Sequence, residues 1–384
     1  MTENSGVTKL ELIFKDQVYL AGETIDGKVI LELSEPLFFY SVKLKVAGKG
    51  FVEWIGESNE NLDYNRKIHC SNKEDYFHHI FTLWGADHDA EGLEQILPTG
   101  SHDFQFSYKL SDALPSSFSG SHGKIRYYVR AYCTAALGTI AQVEKDLKVQ
   151  EIFNLNLDPS NKPRNAEANG NAPCRLTDHK PRVKPAPSWS LCLNATTGIR
   201  SSHLSFAFLF YNGVNDAVCT FYLQLPLVFT AEKDISYWCW KFPGIAMNVT
   251  VDKSGFVPGE DIIIASEITN RTGRTLRLIS YSIGTEIKYK AFVQEAFCDH
   301  YREFIEKSQL KRMQAAIEAP PRQITKIIGS LQLPKPMFIS DMSTCKIISI
   351  AYQLQVAISI PGHRVTVTAT APIKIGTTPV HFSL

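Results

Sequence analysis

Several features that would point to a defined chemistry are missing from this sequence. None of its eight cysteines is spaced as a Cys-x-x-Cys pair, so neither a zinc ribbon nor a dithiol redox site is indicated. No glycine-rich loop suited to a phosphate group is present. The formal net charge of +1 provides no bulk attraction to nucleic acid or to a membrane. We therefore expect no cofactor, no metal and no nucleic-acid partner.

A secretory leader and a membrane span are not predicted either. Residues 1–6 contain no apolar core of the signal-peptide type, so reduced thiols and a cytoplasmic location are expected. The most apolar stretch, residues 204–229, is interrupted by Asn212, Gly213 and Asp216. Because a spanning helix needs about 20 consecutive apolar residues, the sequence predicts no transmembrane span.

What the sequence has in quantity is the period-two alternation of β-strands. Val42, Leu44 and Val46 fall on one face of a strand, with Lys43 and Lys45 opposite. The same alternation is clearest in the second half, where apolar residues recur at every second position near the C-terminal end. Helical periodicity is scarce in the first half. The pattern predicts an all-β protein built from sandwiches.

Three stretches depart from this pattern. Residues 57–75 are polar and are predicted to form a long loop. Residues 295–318 favour a helix by composition but a continuing β-edge by their position between strands, and both alternatives stay open. Residues 158–190 hold six of the 19 prolines. Such a segment buries too little apolar area to offset backbone ordering, which costs about 1–2 kcal/mol per residue, so it is predicted to be a disordered linker.

A short motif occurs twice, once in each half of the chain. Both copies place an aromatic residue three positions before a Gly-Glu pair, and each copy lies between two strand-like runs. The residues are Tyr19, Gly22 and Glu23 in the first copy, and Phe256, Gly259 and Glu260 in the second. We interpret them as the same turn in one β-rich domain used twice, with the glycines set by backbone geometry and the glutamates acting as structural hydrogen-bond acceptors.

These segments together resemble the arrestin fold, in its arrestin-domain-containing (α-arrestin) branch. The first turn is similar to the family's Tyr-x-Pro-Gly-Glu-x-Ile-x-Gly, with Ala21 in place of the usual proline and Gly27 at its end. The most specific match spans residues 114–127 and includes Pro115 and Gly120. Further matches lie at residues 97–106, at 252–260 including Pro258, at 345–356, and at 372–377.

The resemblance implies two immunoglobulin-like β-sandwich lobes. An arrestin N-terminal-like lobe is expected over residues 1–158 and a C-terminal-like lobe over 237–380. Residues 159–236 would form an unusually long, partly disordered linker that includes the apolar stretch 204–229. Because the family's hinge is usually short, we interpret this segment as an insertion or a translated intron.

The resemblance also implies an adaptor without catalytic activity. Family members bind membrane-protein cargo in trafficking and endocytosis, so the expected partners are cytoplasmic tails, ubiquitin ligases and other trafficking machinery. The expected location is cytoplasmic, peripheral to the plasma membrane or endosomes. The Pro-Pro-x-Tyr motif that binds WW domains of ligases does not occur in this sequence, which weakens the ubiquitylation role. A structural subunit of a retromer-like trafficking coat is the alternative.

Four basic residues are the candidate binding site. Lys9 and Lys15 share one face of the first predicted strand, while Arg126 and Arg130 share the polar face of another. If these strands are neighbours, the four side chains would form a surface for phosphorylated tails. An ordinary solvated sheet face is the alternative. The edge of the first-lobe sheet offers a second mode, an added peptide strand.

Two other patterns suggest chemistry only superficially. A metal site is suggested by seven residues, but they lack the short fixed spacing of a zinc site: His69, Cys70, His78, His79, Asp87, His88 and Asp89. His78 and His79 also point to opposite faces of one strand. Ser121 lies between glycines as in a nucleophile elbow, but in a turn between strands rather than between a strand and a helix. We therefore expect neither a metal site nor a catalytic one.

Overall fold

The computed structural model describes residues 6–57, 67–85, 95–135, 138–155, 226–237, 240–293, 301–340, 344–361 and 366–379. Their regular structure consists of β-strands, which confirms the predicted all-β class. The described residues contain no helix of the length and apolarity needed to cross a membrane.

The strands of the first lobe run from residue 7 to residue 150. They are β1 (Val7–Phe14), β2 (Val18–Leu20), β3 (Thr24–Leu33), β4 (Leu37–Phe39), β5 (Ser41–Glu57), β6 (Lys67–Gly85), β7 (Gln95–Leu97), β8 (Gly100–Lys109), β9 (Phe118–Ser119), β10 (Gly123–Ala135) and β11 (Gly138–Gln150).

Two sheets of the first lobe enclose its core. A small sheet of β1, β3 and β8 packs on a larger one in which β6, β5, β10, β11 and β2 follow one another. Alternate residues of both sheets face inward, and Leu12, Val29, Val46, Tyr127 and Val129 are all buried in the same apolar cluster. The residues between them face outward, as the period-two pattern predicts.

The strands of the second lobe run from residue 227 to residue 375. They are β12 (Leu227–Tyr237), β13 (Trp240–Val251), β14 (Gly255–Phe256), β15 (Asp261–Asn270), β16 (Leu276–Val293), β17 (Tyr301–Ala319), β18 (Gln323–Gln332), β19 (Ile348–Ser359) and β20 (Thr366–Ile375).

The second lobe repeats this arrangement and shares a sheet with the first. A sheet of β12, β13, β15 and β18 accompanies a larger sheet that contains β16, β19, β20 and β14, with β17 beside β16. Phe292 and Val293 of β16 pair with Ser71 and Cys70 of β6, so the two larger sheets form one 11-stranded sheet. The lobes are therefore joined by backbone hydrogen bonds.

The structure differs from the sequence prediction at two places and decides between the open alternatives at a third. Residues 67–75 belong to β6 rather than to a loop. Ile68 and Cys70 face the core, but the polar residues between them made the stretch resemble a loop in the sequence. The described part of the ambiguous segment, residues 301–318, lies in β17, which is the β-edge alternative, since pairing along β16 outweighs its helical composition; residues 295–300 lie outside the described residues. The second lobe begins with β12 at Leu227, earlier than the predicted boundary at residue 237. The rest of the predicted linker, residues 159–225 with most of the apolar stretch, lies outside the described residues.

A glutamate closes the same turn near the start of each lobe. The Glu23 amide donates to the Leu20 carbonyl at 3.0 Å, and the Glu23 carboxylate accepts from the Leu20 amide at 2.7 Å. Glu260 makes the same two bonds with Val257, at 3.1 and 2.9 Å, and Pro258 lies inside this turn. The repeated motif is thus a repeated hydrogen-bonding unit.

Each turn is also attached to the last strand of its own lobe. β2 pairs in parallel with the end of β11, with Tyr19 beside Val149. β14 pairs in parallel with β20, with Phe256 beside Ile375. Both aromatic rings are almost fully buried. The two lobes therefore begin and close in the same way.

We predict that Gly22→Ala lowers the free energy of unfolding by about 1–2 kcal/mol. Gly22 has a φ of +84°, and an added methyl group would meet the Asp112 carboxylate. Gly273→Ala is the matched control, because a Cβ there would enter open space. Chemical denaturation of both variants is the measurement, and equal effects on the two would contradict a backbone requirement at Gly22.

Candidate functional site: an open strand edge and a basic sheet face

The first strand of the chain has an open edge. Of the described strands, only β3 pairs with β1. The Lys15 amide donates to the Asp26 carbonyl at 3.1 Å, so by antiparallel alternation the backbone groups of Leu10, Leu12 and Phe14 point away from β3. This row, which we call the open edge, suits the addition of an extended peptide strand.

A lysine from the larger sheet already occupies part of the open edge. The Nζ of Lys145, on β11, donates to the Leu12 carbonyl at 2.7 Å. An added strand would bring its own amide to that carbonyl, which would release Lys145 to pair with an anion on the strand. The open edge and a positive charge therefore lie together.

Lys9 and Lys15 lie on the outer face of the small sheet. Lys9 forms ion pairs with Glu11 at 3.0 Å and with Glu32 at 3.9 Å. The hydrogen bond from Lys9 to Glu11 and the charge of that carboxylate raise the pKa of Lys9. Lys15 lines a shallow depression of about 530 Å³ beside Asp26. Both lysines thus stand among carboxylates.

Arg126 and Arg130 lie on the outer face of the larger sheet, which we call the basic face. Glu144 accepts from Arg126 at 2.5 Å and from Arg130 at 2.7 Å, and Asp146 accepts from Arg126 at 2.6 Å. Burial by itself would raise the pKa of Glu144. The hydrogen bonds from Arg130 and Arg126 outweigh that effect, so the pKa of Glu144 is lowered.

The structure does not bring the four predicted basic residues together. β1 and β10 belong to different sheets, and the inward residues of both strands meet in the core. Lys9 and Lys15 therefore face outward on one side of the sandwich, and Arg126 and Arg130 on the other. The condition for one shared surface, that these strands neighbour each other, is therefore not met, and the sequence alone does not reveal which strands pair. An anion-binding role for each pair alone stays a prediction.

Sequence reasoning missed the group that organises the basic face. The Tyr128 side chain is buried beneath four cationic groups from β5 and β10. They lie 4.9–5.9 Å from its ring centroid and belong to Lys45, Lys49, Arg126 and Arg130. The alternation of Lys43 and Lys45 with apolar residues was a visible signal. The register that sets Lys45 opposite Arg130 was not.

The segment with the most specific family resemblance holds the lobes together. The Tyr127 hydroxyl donates to the Pro115 carbonyl at 2.7 Å. The Phe118 ring packs edge-on against Phe338 of the second lobe, with centroids 4.9 Å apart. Tyr127 therefore fixes the segment within the first lobe, and Phe118 packs it against the second.

Two of the predicted motif glycines allow close packing. A Cβ on Gly27 would meet the Ile13 carbonyl and the Phe106 ring. A Cβ on Gly120 would meet the Phe118 ring and the Tyr289 hydroxyl. A larger residue at Gly27 would therefore press on the backbone of β1, and one at Gly120 would displace the two aromatic side chains.

The patterns that suggested chemistry are not assembled into reactive sites among the described residues. Ser121 donates to Glu306, and the adjacent His122 packs edge-on against Phe304, with centroids 4.3 Å apart. His69 lies 2.6 Å from a carboxylate oxygen of Glu53. In the described ranges, no group of three or more His, Cys, Asp or Glu residues could hold a metal ion.

Two β-sandwich lobes that share one sheet, with an open edge and charged outer faces, define a two-lobed β-sandwich protein suited to binding. Residues 8–156 match the family model "Arrestin (or S-antigen), N-terminal domain", and residues 244–380 match the corresponding C-terminal domain. The chain belongs to the arrestin family, in its α-arrestin branch, as its sequence motifs predict.

Several arrestin domain-containing proteins are similar to nearly the whole chain. Arrestin domain-containing protein 5 of Bos taurus is 28% identical over 379 residues, which cover 98% of this chain and 93% of the relative. The Homo sapiens protein of the same name is 26% identical over 373 residues, which cover 97% of this chain and 88% of the relative. Arrestin domain-containing protein 17 of Caenorhabditis elegans is 25% identical and covers 97% and 71%.

We predict that Glu144→Gln lowers the free energy of unfolding by about 1–2 kcal/mol at neutral pH, because the charged acceptor of two arginines is lost. Folding lowers the pKa of Glu144 from its ordinary value of 4.5. The stabilisation is therefore fully present above that value and is lost as the pH falls through the folded-state pKa.

Chemical denaturation of both proteins between neutral and acidic pH measures this difference. The gap between wild type and variant should shrink below the ordinary carboxylate pKa. Glu318→Gln on exposed β17 is the control and should be neutral. A gap that is independent of pH would contradict an ionic role for Glu144.

Proposed function

We propose that this chain is a non-enzymatic intracellular adaptor that binds the cytoplasmic tails of membrane proteins and links them to trafficking machinery. Membership of the arrestin family supports this class. The observation that carries the binding mode is the open edge of β1, with Lys145 beside it. The proposed location is cytoplasmic, peripheral to the plasma membrane or endosomes. Recruitment of ubiquitin ligases stays a prediction from the family resemblance.

Strand addition fits an adaptor because its backbone hydrogen bonds do not depend on the sequence of the tail. Tails of many membrane proteins could therefore use the same edge. Selectivity would come from charge, since a phosphate or carboxylate next to Leu12 would take the Lys145 ammonium group from its present acceptor. A phosphorylated tail would then bind more tightly than an unphosphorylated one.

We predict that Lys145→Gln weakens binding of a phosphorylated peptide about tenfold, the loss expected from one charge-assisted hydrogen bond. The probe is a fluorescein-labelled Thr/Val peptide that carries phosphothreonine and is long enough to cover β1. Fluorescence anisotropy measures its affinity. The unphosphorylated peptide gains no ion pair with Lys145, so it should bind the variant no more weakly than wild type, and Lys109→Gln on β8 is the matched control.

N-methylation of alternate peptide residues tests the strand geometry without changing the protein. Methylation of the set that faces β1 should abolish binding, whereas methylation of the other set should leave it intact. If both methylated peptides bind like the parent peptide, the open edge is not the docking site.

A further inference from the structure

One side of the second lobe is open at the edges of both its sheets. Of the described strands, only β15 pairs with β18, and only β16 pairs with β17. A short turn, residues 320–322, joins β17 to β18, and the two strands contact each other. Two strand edges, one from each sheet of the sandwich, therefore lie side by side.

The described residues leave the core of the second lobe partly exposed along this side. Apolar side chains of β17 and β18 that point into the sandwich pack against the buried cluster but are only half-buried. They are Met313, Ala315, Ile317 and Ile327. Ile264 and Ile283, which point into the same sandwich from β15 and β16, are fully buried. The two edge strands thus present an apolar seam that a second surface could close.

The outermost row of β18 lacks the features that usually prevent a strand edge from pairing. The Leu333 amide donates to the Glu260 carbonyl at 2.8 Å, so alternate residues of β18 point their backbone groups away from β15. This row, which we call the β18 edge, consists of Ile324, Lys326, Ile328, Ser330 and Gln332. The strand contains no proline and one charged residue, and Ile324 and Ile328 are 62% and 78% exposed.

The β18 edge is complementary to a second copy of itself. Antiparallel pairing about a two-fold axis at Ile328 would place that residue opposite its own copy and Lys326 opposite Ser330. The pairing would also continue an uncharged row of the outer face, which consists of Val228, Thr250, Ala265 and Ile328. An axis at Lys326 would instead set two like charges opposite each other, which destabilises a sheet.

We propose that two copies of this chain associate through the β18 edge, with Ile328 on the two-fold axis, so that the small sheets of two second lobes become one continuous sheet. A strand from another protein fits less well, because it would extend one sheet and leave the half-buried residues of β17 uncovered. A second copy brings both of its edges. The proposal does not depend on the adaptor function, since the open edge of β1 belongs to the other lobe.

Sedimentation velocity of the full chain, from low to high micromolar concentration, should show a monomer–dimer equilibrium. Ile328→Lys should weaken the dimer about tenfold, because a pair of apolar side chains is lost and two like charges face each other across the axis. Val228→Lys is the matched control. It makes the same change of charge in the same row, at the opposite side of the sheet, and should dimerise like wild type.

A mixture of Ile328→Lys and Ile328→Glu tests the position of the axis. Each variant alone sets like charges opposite each other and should be mainly monomeric, whereas the mixture sets opposite charges across the axis and should recover the dimer. Recovery requires folded protein, so it also separates a lost contact from misfolding.

Four results would overturn the assignment. If the wild-type protein stays monomeric throughout the range, a second copy is not the occupant of the β18 edge. If Ile328→Lys dimerises like wild type, or Val228→Lys weakens the dimer equally, the interface lies elsewhere. If the mixture of the two Ile328 variants does not recover the dimer, Ile328 is not on the axis. Binding of tail peptides at the open edge is measured separately, so its failure leaves this result unchanged.

Discussion

Each lobe depends on one turn in which a glutamate binds its own backbone. Glu23 and Glu260 each accept from an amide three residues earlier, which holds the short preceding strand in place. That strand lies parallel to the last strand of its lobe. A parallel contact cannot be made by a hairpin and requires a long connection. The turn therefore couples the first and last parts of each sandwich.

A second contact holds the same closing strands from another direction. The Ser117 hydroxyl accepts from the Val149 amide at 2.9 Å, and the Ser117 amide donates to the Val149 carbonyl at 2.8 Å. Ser340 repeats this exchange with Ile375, at 2.7 and 2.9 Å. The repeat thus extends well beyond the Gly-Glu pair visible in the sequence. The two closures lie at the outer ends of the 11-stranded sheet, whereas the lobes join at its centre through β6 and β16.

Much of the fold could be predicted because strand alternation and family motifs are local properties of a sequence. Pairing is not local, and what the sequence left undecided or missed follows from it. The composition of β17 favours a helix, and only its partner β16 makes it a strand. Lys9 shares a strand face with Lys15, and Arg126 shares one with Arg130, as their spacing predicts. No local pattern shows that the two strands belong to opposite sheets. The cations around Tyr128 were missed for the same reason, since two of them come from β5 and two from β10.

The two candidate binding surfaces are physically different, and one strand serves both. On β11, Glu144 and Asp146 point outward and neutralise the arginines of the basic face. Lys145, between them, points the other way and donates to the open edge of β1. Period-two alternation thus places charged side chains of β11 on the basic face and the Lys145 side chain at the open edge, where backbone groups are available for hydrogen bonds. Because a shift of one residue would exchange these side chains, the register of β11 against β10 determines the chemistry of both surfaces.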